Sequence, residues 1–225
     1  MHIEPGLVDG AKIGLSYATA TCALGVGAFE SFRLVRSRGV VALLSRSAIA
    51  IAAVFVFFQV FPHTPVGVSE VHLILGSTLF LLFGVAPAAI GLAGGLLIQG
   101  LFFAPFDLPQ YGMNVTTLLV PLFGVAMVAR KVIAPNTPYV KIRYRQALAL
   151  SSTYQAGIVA WVGFWALYGG GVGAENLASV ASFSGAYLLV ILVEPLADLA
   201  VLAGAKSLHR LRHSPVVDRR LFNPA

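Results

Sequence analysis

The chain has 225 residues, of which 58% are apolar and 11% charged, with a formal charge of +6 and a mean hydropathy of +0.85. One water-soluble core cannot hide that much apolar surface, so the solvent of this chain is lipid. Its 15 lysines and arginines lie in short clusters between apolar runs, a pattern that sets membrane topology and sets nucleic acid aside as a partner in favour of the bilayer.

The expected building block is a helix of roughly 17–25 apolar residues, enough to cross a hydrocarbon layer about 30 Å thick. The opening segment, MHIEPGLVDGAK, lacks the basic stretch and apolar run of a signal peptide. Removal of an initiator methionine needs a small second residue, so the Met1 amine and His2 are both expected in the mature chain. Span one covers residues 13–29, closed by Glu30 and followed by Arg33, Arg36 and Arg38. Its one cysteine, Cys22, excludes an intrachain disulfide and any cysteine metal motif. Span two covers 48–61, with Arg46 either snorkelling near a membrane face or marking its start.

Residues 71–106 contain no Asp, Glu, Lys or Arg, a run too long for one span, and Gly84-Val85-Ala86-Pro87 divides it into spans three and four. Gly91 and Gly95 in span four form a G-x-x-x-G pair, which predicts close helix packing, inside the bundle or against another membrane subunit. Span five (114–129) ends at Arg130-Lys131. Span six (147–168) follows Lys141, Arg143 and Arg145, and span seven (177–203) follows a glycine-rich loop. The expected architecture is an all-α polytopic membrane protein of about seven spans. Residues 1–205 form its single domain, with 1–12 as a distinct N-terminal segment and 206–225 as a basic tail.

Seven spans put the termini on opposite sides. With the N-terminus outside, every Lys and Arg except Lys12 falls on the inner side, as the positive-inside rule requires. The tail is then cytoplasmic, and Glu4, Asp9, Glu70, Asp107 and Glu175 fall outside. An acidic outer face concentrates cations weakly.

This topology also sorts the histidines. His209 and His213 belong to the basic tail and read as solvated, whereas His2, His63 and His72 all face the outside. Imidazole suits nickel, copper, zinc and cobalt, while calcium and magnesium prefer oxygen. A free terminal amine, the second backbone nitrogen and the second residue's imidazole close fused chelate rings, and another imidazole completes four nitrogens. Such a set accepts nickel(II), copper(II) or cobalt(II), and its affinity falls as protons compete for the nitrogens. A solvated terminal histidine and a span-end histidine bonded to a backbone carbonyl are the plain alternatives.

Met1-His2-Ile3 with Gly6, Val71-His72-Leu73, and Gly112-Met113-Asn114 followed by Thr116 and Thr117 resemble the cobalt/nickel-specific membrane subunit of energy-coupling factor transporters, the CbiM/NikM type. The resemblance implies that the N-terminal segment folds back into the bundle, and that the metal is held by the Met1 amine, the backbone nitrogen and imidazole of His2, and His72. The family's usual T-T-L-G-A-N reads P-Q-Y-G-M-N here. Asn114 is therefore carried over only as an accessory residue that supports a ligand or orders a loop. His63 has no family role and is an accessory candidate, capturing metal at the mouth of the site or capping its loop.

The family further implies a substrate-capture subunit of the bacterial or archaeal plasma membrane. Its partners would be a membrane coupling subunit, cytoplasmic ATPases and, as a further candidate, a small accessory membrane subunit. Cobalt(II) or nickel(II) is cargo, with no prosthetic group. The chain carries neither a G-x-x-x-x-G-K-[ST] phosphate loop nor an H-E-x-x-H zinc motif, which argues against an enzyme. A self-contained metal channel or secondary transporter, and a non-transporting scaffold, stay open at this point. Glu194 and Asp198, four apart in span seven, are costly in lipid; they are read as partners of inner arginines or as a contact with the coupling subunit.

Overall fold

The computed structural model describes residues 3–61 and 63–210. Met1, His2 and residues 211–225, including His213 and most of the basic tail, lie outside the described residues. Seven α-helices follow in order: α1 (Ile13–Arg38), α2 (Val40–Gln59), α3 (Gly76–Phe83), α4 (Val85–Phe102), α5 (Tyr111–Val132), α6 (Tyr144–Gly170) and α7 (Ala174–Arg210). A hairpin of β1 (Thr64–Val66) and β2 (Ser69–Val71) sits between α2 and α3. Among the described residues five segments are long and apolar enough to cross a membrane: α2, α4, the 3-10 turn at Pro105–Gln110 continued by α5, α6, and α7. α1 is long enough, but serines, threonines and glycines dilute its apolar run.

Helix α1 runs to Arg38, well past the expected end at residue 29, and α2 begins at Val40. Arg46 thus lies in the second turn of α2 rather than ahead of it. α7 likewise extends through Arg210, so that Lys206, placed in the tail by sequence, is helical and lies 4.9 Å from the centroid of the Tyr144 ring.

The larger departure is span three. α3 has eight residues, about 12 Å of helix, and residues 72–75 before it are not helical. Leu75 adopts a left-handed conformation (φ 53°, ψ 35°) that breaks the helix ahead of Gly76. Backbone left unpaired at membrane depth is costly, and protein groups must satisfy it. Glu194 of α7 does so: the amides of Ile74 and Leu75 donate to its two carboxylate oxygens at 2.7 and 2.8 Å. One turn on, Asp198 accepts the hydroxyls of Ser77 and Thr78. Both carboxylates are buried. Their bonds are to α3 and the break before it, neither to inner arginines nor on a surface open to a partner, which corrects both sequence readings.

The core lies where α5 packs against α4 on one side and α6 on the other, around Leu92, Leu96, Leu118, Leu122, Tyr154 and Ile158. The Gly91/Gly95 pair serves internal packing: a β-carbon at Gly91 would stand 2.5 Å from that of Ala50, and one at Gly95 2.6 Å from Val54. Leu188, Leu189, Leu192 and Leu196 of α7 are exposed, as a lipid-facing surface requires. The two ends of the bundle differ in charge. One carries the N-terminal segment and the hairpin; the other carries Glu30 bonded to Arg33 (3.2 Å) and Arg130 (3.4 Å).

Candidate metal centre

The hairpin is built around a two-residue turn at Gly67-Val68 and pairs Thr64 with Val71 and Val66 with Ser69. Gly67 has φ +61°, and a β-carbon there would stand 2.2 Å from the carbonyl oxygen of Ser179. Glycine is required on both counts, and the turn rests directly on α7. The N-terminal segment joins the hairpin through a single bridge. Ile3 pairs antiparallel with Ser69, and the Glu4 amide donates to the Val68 carbonyl at 3.1 Å.

Three further contacts hold this segment in place. The Ile3 amide donates to Asn114 Oδ1 at 2.9 Å, in the buried first turn of α5. Ile3 and Val8 pack with Met113 and Trp165. Lys12 Nζ donates to the carbonyls of Tyr168 (3.2 Å) and Gly169 (3.0 Å) at the end of α6, where a cation meets the negative end of the helix dipole. Sequence assigned Asn114 either to supporting a ligand or to ordering a loop; in the structure its side chain accepts from the backbone of Ile3.

His72, immediately after β2, has a fully buried side chain. Its Nε2–H donates to Glu70 Oε2 at 2.9 Å, so that Nδ1 carries the ring's lone pair. A carboxylate that fixes the tautomer in this way is what metal-binding histidines commonly have behind them. Glu70 was read from the sequence only as an outer acidic residue. The signal for its role is its position two residues before His72, because alternate residues of an extended segment share a face. Phe58 lies against the His72 ring, and the exposed His63 stacks on it with centroids 5.0 Å apart. Sequence placed His63 in the same loop region without this contact. Its Nδ1–H donates to the Phe61 carbonyl at 3.3 Å.

The Glu4 carboxyl is raised above its ordinary value, first by burial and then by the charges of Glu70 and Asp107. Three carboxylates therefore share the hairpin end with His63 and His72. Among the described residues no group of three or more His, Cys, Asp or Glu side chains is arranged to hold a metal ion. Met1 and His2, assigned as ligands from the sequence, lie outside the described residues.

This fold is shared with two solved transition metal transporters. A truncated transition metal transporter aligns with a TM-score of 0.70 at 19% identity, over 90% of this chain and 97% of its own. A second transition metal transporter aligns with a TM-score of 0.69 at 20% identity, over 99% and 100%. A comparison with curated proteins finds no match. The family described as the cobalt uptake substrate-specific transmembrane region, CbiM, matches residues 2–210, and the chain belongs to it. It is a membrane component of transition-metal uptake and not a member of an enzyme family.

Proposed function

We propose that the chain captures cobalt(II) or nickel(II) at the hairpin end of the bundle, which faces outward, and that the Met1 amine, the His2 nitrogens and His72 are the ligands. The observation that carries this reading is the anchoring of Ile3. Its amide is bonded to Asn114 and its backbone is paired with β2, the strand that leads into His72. Residue 2 is one peptide away, so connectivity alone keeps its α-carbon about 3.8 Å from that of Ile3. The two residues assigned as ligands precede this anchor in the chain, and the anchor rests on the strand that leads into the histidine bonded to Glu70.

The ion is cargo rather than a cofactor. A chain without an ATP-binding loop needs an external source of energy for uptake, and a membrane coupling subunit with cytoplasmic ATPases supplies it in the energy-coupling factor arrangement. The basic end of the bundle, with Arg33, Arg130 and Lys141, then faces the cytoplasm of a bacterial or archaeal cell.

The test is elemental analysis of purified protein with a free N-terminus, with cobalt and nickel in competition. His2→Ala, His72→Ala and an N-terminal extension that blocks the amine should each lose tightly bound metal. Wild-type metal content in His72→Ala would overturn the site. Reconstitution in liposomes separates the energy source: uptake that requires the ATPases supports the assembly, and uptake by the chain alone refutes it.

A further inference from the structure

Two rings lie against the ring of His72. Phe58, itself fully buried, is one, with centroids 5.4 Å apart and planes tilted by 48°. His63 is the other, with centroids 5.0 Å apart and planes within 12° of parallel. Glu70 holds Nε2. Of the two rings only His63 is exposed to solvent, so it is the one of the pair that an ion arriving from outside can meet.

His63 is more than an inert cover, because it is itself a metal ligand by chemistry. Its bond from Nδ1 to the Phe61 carbonyl leaves the lone pair on Nε2. A metal ion sits in the plane of an imidazole, along the nitrogen lone pair, and two rings stacked nearly parallel present their lone pairs in separate planes. The two histidines therefore cannot share one ion in this arrangement, and passage of an ion from His63 to His72 requires the two rings to part.

We propose that His63 is the first-contact ligand of the capture site. It exchanges for one water of a hydrated cobalt(II) or nickel(II) ion through Nε2, and its movement off the face of His72 admits the ion to the buried ring. Glu4 and the two carboxylates whose charges act on it, Glu70 and Asp107, raise the local concentration of cations. The proposal rests on the capture reading above and adds a route to it.

Association and dissociation of cobalt(II) alone, followed by stopped flow on the full chain with a free N-terminus, test it. His63→Ala should slow association about tenfold or more, with dissociation slowed in parallel. His63→Asn keeps a donor for the Phe61 carbonyl and is a poor ligand, so it should behave like the alanine variant; it also serves should His63→Ala fold badly. Association that is unchanged or faster would make His63 a cover only and overturn the proposal. So would faster dissociation at unchanged association, the mark of a ligand to the stored ion. His72→Ala keeps the two failures apart: if it retains wild-type cobalt affinity, the capture reading fails, whatever His63 does.

Discussion

Removal of the Glu194 carboxylate tests how the break before α3 is held. Two buried backbone amides, those of Ile74 and Leu75, donate to it at 2.7 and 2.8 Å. A buried amide left without an acceptor costs about 1–3 kcal/mol, and no water reaches the bilayer interior to replace the carboxylate. Glu194→Leu orphans both donors and should cost about 2–6 kcal/mol, less whatever is recovered by no longer burying a carboxylate. Glu194→Gln keeps one carbonyl oxygen within reach of one amide and should cost about half as much. Thermal unfolding in detergent measures the order, with wild type above Gln and Gln above Leu, and hydrogen exchange at Ile74 and Leu75 locates the loss. His72 lies two residues before Ile74, so cobalt affinity should fall in the same order. A leucine variant that unfolds at the wild-type temperature with both amides still protected would refute the reasoning.

Other contacts make separate predictions. Asn114→Ala removes the acceptor of the Ile3 amide, worth about 1–3 kcal/mol of N-terminal docking, and should weaken cobalt binding roughly five- to 150-fold in a calorimetric titration; Asn114→Asp, which keeps an acceptor oxygen, should lose less. A β-carbon at Gly76 would stand 2.1 Å from the Tyr154 ring, so Gly76→Ala should destabilise by about 1–3 kcal/mol. Its cost should shrink when combined with Tyr154→Leu, a coupling that a double-mutant cycle measures directly. Gly67→Ala puts a side chain against a backbone carbonyl that cannot swing away; the hairpin should lift from α7, and limited proteolysis should cut within residues 62–71 of the variant faster than in wild type.

Helices legible in the sequence were those whose cause is local. Apolar runs bounded by charge predicted α1, α2, α4, α5, α6 and α7, and the Gly84 turn separated α3 from α4 because glycine alone takes φ 88° without strain. Span three was not legible, because nothing within residues 71–83 forbids a longer helix. The break at Leu75 is allowed by Glu194, 119 residues further on, and local propensity carries no trace of such a partner. The same distance hid why Glu194 and Asp198 are there. As isolated charges in span seven they looked in need of arginines, whereas their partners are amides and hydroxyls that no count of charges includes.

The candidate site divides along the same line. His63 and His72 stood out by residue type, and Asn114 by resemblance, but the links that make a site of them are long-range or depend on extended backbone: Ile3 to Asn114 across 111 positions, Ile3 to Ser69, and Glu70 to His72 on one face of an extended segment. These links converge on the least regular backbone in the bundle. Non-helical chain at membrane depth persists only where protein groups satisfy it, and here two buried carboxylates of α7 are committed to residues 74–78. A continuous third span would need neither carboxylate, but a helix through residues 70–75 would set successive side chains about 100° apart and turn Glu70 away from His72. The break exchanges helical backbone bonds for an extended approach to His72, in which Glu70 reaches its Nε2, Ile3 pairs beside it, and His63 covers its face.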